Sequence, residues 1–219
     1  MKDRKHSPSL YPAFLDLQGQ LAVVIGGGAV AVRKVRSLIA AGASVLVVAK
    51  DAAPELRRIK GVRLAVRPFR KSDLKGARLV FAATDAPELN SQIAKTARKR
   101  GAWVNVAAPP ESGNMLVPSS FRRGKLCVAF STGGASAAAA KALREELEKH
   151  VDPAWGILLE LVDERREILK RTLDNPKIRR ELLQMLGQPK WLEKIRSKGR
   201  EFTARQMDQA IVKGIRGRS

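Results

Sequence analysis

Residues 26–31, Gly26-Gly27-Gly28-Ala29-Val30-Ala31, fit the spacing G-x-G-x-x-G/A, with Ala31 in the third small position. Such a segment does its chemistry mainly through the backbone. Gly26 can make a tight turn, Gly28 lets the chain approach a pyrophosphate, and Ala31 allows helix and strand to pack closely. The amides of Ala29 and Val30, at a helix N-terminus, offer donors and partial positive charge to phosphate oxygens. A glycine turn chosen only for close packing would show the same letters, so the flanking elements decide. The ribose-binding acid of such a motif belongs near the end of the second strand, about 20 residues on. That strand ends Val48-Ala49-Lys50-Asp51. Asp51 is either that acid or the cap of the next turn, and Lys50 could instead meet a 2′-phosphate. NAD is the expected cofactor.

The elements that must position these residues follow from periodicity. Leu21–Ile25 is a short strand rich in Ala, Val and Ile, and residues 31–41 carry apolar side chains at helical spacing before Gly42 closes the helix. Residues 44–49 (SVLVVA) lack polar alternation, as in a strand buried on both faces. Further strands are expected at 62–66, 79–83 and 103–106, with a helix over 88–100. The alternation gives a mostly parallel, helix-covered sheet. Pro109, Pro110, Gly113 and Asn114 break the rhythm. A strand over 125–131 and an alanine-rich helix over 136–150 come next. From Trp155 the chain reads as helices only, with Ile157, Leu158, Leu161, Ile168 and Leu169 on one face, and with residues 213–219 fraying at the end. The fold class is therefore α/β: a Rossmann-like NAD-binding domain over 1–117, a linking region over 118–152 and a helical region over 153–219.

Composition narrows the partners. The 219 residues carry 42 Lys and Arg against 21 Asp and Glu, a net charge of +21, with both halves basic: net +12 over residues 1–118 (20 against 8) and +9 over 119–219 (22 against 13). A basic tail would have concentrated that charge. One Tyr and six Phe leave little material for base stacking, so no nucleic-acid partner is expected and a polyanionic small molecule is. No apolar run reaches the roughly 18 residues of a membrane helix. The charged segment 1–8 leads into Leu10-Tyr11-Pro12 rather than an apolar stretch, and the single cysteine, Cys127, excludes an intramolecular disulfide. A cytoplasmic protein without a membrane partner follows. The two histidines, His6 and His150, share no ligand spacing with other metal-binding residues, so no metal site is expected.

Several segments together carry a resemblance: residues 11–17 (YPAFLDL), the glycine turn with Arg33-Lys34 in its helix, residues 81–85 (FAATD), Val104-Asn105-Val106, and residues 130–136 (FSTGGAS). In this order they resemble, over about residues 10–150, the precorrin-2 dehydrogenase/sirohydrochlorin ferrochelatase family, which includes the N-terminal module of siroheme synthases. The resemblance implies NAD-dependent oxidation of precorrin-2 to sirohydrochlorin, sometimes followed by ferrous iron insertion to give siroheme. It also implies a homodimer with 118–152 as dimerisation region, and a C-terminal helical region that helps close the site. Thr84 and Asn105 join the expected cofactor contacts. Ser131, Thr132, Arg122 and Arg123 become candidate contacts to the carboxylates of precorrin-2, with Lys125 beside them. The family often has Ser where Thr132 stands; its hydroxyl either binds substrate or stabilises the turn before the helix.

One departure qualifies the mechanism. The family usually has an aspartate three residues after the asparagine of its NV segment, and here that position is Ala108. A methyl group neither accepts a proton nor assists a metal. Glu111, in the same loop, is the candidate replacement, and its other reading is an exposed turn residue. Metal insertion is more exposed to the loss than hydride transfer, which depends chiefly on positioning. A second function class is a non-catalytic relative that binds NAD and a tetrapyrrole as carrier or sensor. An unrelated NAD-binding regulatory domain would leave the STGGAS segment without explanation.

Overall fold

The computed structural model describes residues 10–216, which divide into two compact units that meet between Val117 and Pro118 in the chain. In the first unit five parallel strands lie in the order β3-β2-β1-β4-β5: β1 Leu21–Ile25, β2 Ser44–Ala49, β3 Val62–Val66, β4 Leu79–Ala82 and β5 Trp103–Val106. Alternation along β1 feeds two apolar layers. Ala22 and Val24 join Val35, Leu38, Val47 and Phe81 on one face, while Val23 and Ile25 join Val80, Ile93, Ala97 and Val104 on the other. Each fully buried aliphatic side chain contributes about 1.5–3 kcal/mol relative to exposure. This is why the sheet, rather than its loops, fixes the frame.

Helix α1 (Ala29–Ala40) buries Ala31, Val35 and Leu38 at successive turns. It ends where Gly42, at φ +78°, donates to Ile39 O and Ala43 donates to Leu38 O, a Schellman closure. The short α2 (Pro54–Arg58) was not expected; five residues opening on proline give too little periodicity to read. Helix α3 (Pro87–Lys99) packs Ile93, Ala94 and Ala97 onto the sheet.

The second unit opens with an antiparallel hairpin, β6 (Ser119–Arg123) and β7 (Leu126–Phe130), turning at Gly124-Lys125. Sequence reasoning named Arg122 and Arg123 as candidate substrate contacts without assigning them to a strand. They lie in β6, whose single apolar residue, Phe121, is buried but gives no periodic signal. The strand expected over 125–131 is β7, shorter at each end. The hairpin seats on Gly156, where a Cβ would lie 2.6 Å from Arg123 O. Helix α4 (Ala137–His150), capped by Ser136 Oγ accepting from Ala139 N at 3.1 Å, has no buried residue. Helices α5 (Pro153–Thr172), α6 (Pro176–Leu186) and α7 (Lys190–Arg216, broken at Gly199) enclose a core of Leu158, Leu161, Leu186, Trp191, Ile195 and Met207. Two expectations are corrected here. Ile168 is 55% exposed rather than on the buried face, because the face turns from Leu161 to Arg165 and Leu169. Residues 213–216 continue α7 rather than fraying, while 217–219 lie outside the described residues.

Candidate functional site

The sheet order reverses direction between β1 and β4, and open parallel sheets bind ligands in the crevice at the carboxyl ends of the strands flanking such a switch point. The glycine turn lies there, and its glycines do different work. Gly26, at φ +125°, abuts the end of β4: a Cβ would lie 2.1 Å from Ala83 O. At Gly27 a Cβ would lie 1.8 Å from Asp51 O, and the contact is fixed by Ala53 N donating to Gly27 O at 3.0 Å. A Cβ on Gly28 would meet nothing within 4 Å. Gly28 is the N-cap of α1, with its carbonyl accepting the first helical bond from Val32 N at 3.1 Å. The amides of Ala29, Val30 and Ala31 then have no partner one turn back, as at any helix start. Two glycines are required by the chain's own packing and the third leaves space beside free donors, a fit for a pyrophosphate.

Around this turn, Asp51 is exposed, and its Oδ1 accepts from Ala52 N at 3.0 Å, so one oxygen caps the turn and the other carries no such bond among the described residues. Lys50 is exposed beside it. Lys34 on α1 has its ammonium 5.7 Å from the centre of the Phe81 ring; burial, reinforced by the Arg33 charge, lowers its pKa.

The loops after β4 and β5 are joined by a residue that sequence reasoning missed. Asn90 is fully buried in the first turns of α3. Its Oδ1 accepts from Thr84 Oγ1 at 2.7 Å and Thr84 N at 3.2 Å, and its Nδ2 donates to Thr84 O and Ala108 O, both at 2.9 Å. The signal was present: Asn90 precedes Ile93, Ala94 and Ala97 by three, four and seven residues, a polar residue on the buried face. Thr84 is thus held by both backbone and hydroxyl. Asn105 Nδ2 donates to Met115 O at 3.1 Å, which fastens the returning segment to β5.

Ala108 is exposed, with its carbonyl fixed by Asn90 and a cis peptide to Pro109. Glu111 sits in a single 3-10 turn, Pro110–Ser112, also exposed, and its carboxylate makes no hydrogen bond or ion pair among the described residues. No group of three or more His, Cys, Asp or Glu side chains among the described residues is placed to hold a metal ion. His6 lies outside those residues, and His150 Nδ1 lies 3.0 Å from Glu146 O.

In the second unit, Ser131 Oγ accepts from Gly133 N at 3.0 Å and Thr132 Oγ1 donates to Ser136 O at 3.3 Å, so both hydroxyls brace the turn before α4. Arg123 is spent on structure: its guanidinium lies 5.3 Å from the Phe121 ring, donates to Arg122 O at 3.1 Å, and stands 3.6 Å from the Glu148 carboxylate. Glu148 is held below the usual carboxylate range, first by Arg144 and then by Arg123. Lys125 pairs with Asp163, which raises the lysine's pKa. Arg122 is exposed, and its side chain forms no such bond among the described residues. No helix among the described residues is long and apolar enough to cross a membrane.

Residues 13–119 match a family described as "Putative NAD(P)-binding". Curated relatives include the siroheme synthase of Pseudomonas entomophila, 36% identical over 206 residues, 93% of this chain and 44% of the relative. That of Thioalkalivibrio sulfidiphilus is 34% identical over 94% of this chain and 42% of the relative. The chain therefore spans about two-fifths of the length of these relatives. A solved structure, "SirC, precorrin-2 dehydrogenase", superposes with a TM-score of 0.74 at 27% identity, covering 93% of this chain and all of the other.

Proposed function

From its membership of the precorrin-2 dehydrogenase family, which includes the N-terminal part of siroheme synthases, we propose that this chain oxidises precorrin-2 to sirohydrochlorin with NAD as the hydride acceptor. The observation that carries the reading is the open backbone of Gly28 at the start of α1, beside a turn otherwise closed by its own chain. Bound there, the nicotinamide would supply hydride acceptance. The chain's own share is positional. Gly26 shapes the turn, the Gly28 backbone and the amides of Ala29 and Val30 hold the pyrophosphate, and the free oxygen of Asp51 takes the ribose, with Lys50 alongside. Thr84 and Asn105 border the crevice at the ends of β4 and β5. Holding donor carbon against acceptor supplies most of the acceleration in such a transfer.

The proton that leaves with the hydride is assigned to Glu111, the carboxylate of the loop in which position 108 has lost one. Arg122 recognises a substrate carboxylate, while Ser131, Thr132 and Arg123 shape the segment around it. Metal insertion is left unassigned, since Ala108 supplies no base for the departing pyrrole protons. Ala108 is also the specific observation that favours a second reading, a non-catalytic carrier or sensor that binds NAD and a tetrapyrrole.

The same kinship supports a cytoplasmic homodimer in which 118–152 forms the dimer contact, between a cofactor domain over 1–117 and a helical region over 153–219. Helix α4 buries none of its residues, its Leu143 is 44% exposed, and a two-stranded hairpin is marginal without further cover. Light scattering should give twice the chain mass, and Leu143→Glu should give the monomer.

The deciding test mixes purified protein, precorrin-2 and NAD without oxygen and follows sirohydrochlorin by absorbance, adding ferrous ion afterwards. NAD-dependent turnover is expected. Binding of both ligands without turnover would select the carrier, and failure to bind either would remove both readings.

A further inference from the structure

We propose that the outer face of α3 carries a second anion site, which takes a phosphate dianion, free or as a phosphomonoester. Ser91, Lys95, Arg98 and Lys99 recur at helical spacing along one face, and with Ser112 of the 3-10 turn they line an open groove of about 560 Å³. The stretch from Ser91 to Lys99 covers about 12 Å of helix axis. No acidic side chain lines the groove, and the three cations form no ion pair among the described residues. Ser91 Oγ and Ser112 Oγ lie 3.1 Å apart. One hydroxyl proton is used between them, so the other remains to donate into the groove.

Cations gather at helix C-termini to complement the dipole, which accounts for Arg98 and Lys99. It does not account for Lys95 a turn earlier, nor for a pair of serines from two elements bordering the same groove. Like charges three and four residues apart repel, and no ion pair among the described residues offsets Lys95. An anion would. A tetrahedral dianion suits this donor set: a planar guanidinium fork, two ammonium point charges and a hydroxyl. No aromatic side chain lines the groove, so it offers no platform for stacked bases and fits a single phosphoryl group rather than a nucleic acid. Helix α3 ends where the chain turns at Gly101 into the start of β5, so its last cations lie toward the edge of the sheet opposite the glycine turn. Arg98 and Lys99 therefore stand apart from the glycine turn, while Ser112 directly follows Glu111, and the proposal does not rest on the nicotinamide reading.

The test is calorimetric titration of the full chain at fixed ionic strength with inorganic phosphate, glycerol 3-phosphate and citrate, with and without saturating NAD. Phosphate should bind with a sub-millimolar dissociation constant that NAD leaves unchanged. Arg98→Gln with Lys99→Gln should weaken it at least tenfold without changing NAD affinity or the melting curve, since both side chains are exposed. Ser91→Ala should weaken phosphate more than citrate. Tighter binding of glycerol 3-phosphate than of phosphate would assign a monoester, and the reverse would assign the free ion. Unchanged phosphate affinity in the double variant, displacement by NAD, or equal binding of citrate insensitive to Ser91→Ala would each overturn the proposal.

Discussion

Two loops at the same edge of the same sheet contrast in how they hold their chemistry. The loop after β1 works through atoms every residue possesses, amide nitrogens and the space left by absent side chains, and the fold itself builds it: Ala83 and Asp51 wall in Gly26 and Gly27. The loop after β5 keeps its backbone equally well, through Asn90 to Ala108 O and the bonds of Asn114 and Met115 to Val104 O. Yet the carboxylate expected on that backbone is gone. A binding function written into backbone geometry survives as long as the fold does, whereas an acid-base function written into one side chain disappears with one substitution while nothing around it moves.

The sharpest way to break this contrast is inside the first loop. Gly27→Ala puts a methyl group against the Asp51 carbonyl and should destabilise the first unit by about 3 kcal/mol or more, read as a lost or lowered melting transition. Gly28→Ala meets open space, and replacing glycine by alanine at an N-cap costs less than about 1 kcal/mol. Its melting curve should stay close to that of the wild type while NAD affinity falls by about a hundredfold, because the methyl group occupies the ligand's place. If both variants melted alike and bound NAD alike, the division between walled and open glycines would be wrong.

The second loop is tested by restoring what it lacks. Ala108 is exposed and its backbone is already fixed, so Ala108→Asp should fold as the wild type does. A positioned general base is worth about a hundredfold or more in rate. The variant should insert ferrous ion into sirohydrochlorin at least that much faster than the parent chain, with its rate falling as pH drops through the carboxylate range. Glu111→Gln should slow dehydrogenation and remove a limb of its pH profile. A profile indifferent to Glu111 would send the proton to water.

Asn90 is the shared support, and its removal should cost less than the Gly27 change. Asn90→Ala leaves the Thr84 and Ala108 carbonyls without their buried donor, a loss of about 2 kcal/mol. Denaturant titration should show it, with NAD affinity reduced less than by Gly28→Ala.

What the sequence made readable follows the same division. Strands β1, β2, β3 and β5 fall on the expected residues, because apolar runs between turn signals record burial directly. Gly26 was readable because few residues other than glycine suit its backbone, and Gly28 from its place in the G-x-G-x-x-A spacing. The partners of Asn90 were not, since they lie six and eighteen residues away and only the fold brings them together. Nor were β6 and the pairing of Arg123 with Glu148: a strand with one apolar residue is specified by its neighbour across the hairpin and by the helix beneath it. Ile168 shows the converse error, an apolar residue assigned to the core although its helix turns that face outward.

The smallest effect is expected at a third loop on this edge, after β3, which carries no proposed site. There Arg67 donates to both Asp73 oxygens, at 2.9 and 2.7 Å, and this hydrogen bonding, ahead of the weaker charge attraction, holds the Asp73 carboxyl below its ordinary value despite partial burial. A carboxylate whose pKa is depressed by folding contributes stability above its unfolded pKa, near 4, and that contribution is lost as pH falls from there through the folded value. Arg67→Gln should therefore raise the midpoint of acid unfolding and leave stability at neutral pH only slightly lower, since the arginine is partly exposed and screened. NAD affinity and turnover should not change. A loss of cofactor binding in this variant would show that the edge behaves as one cooperative surface, and the separation of the three loops would fail.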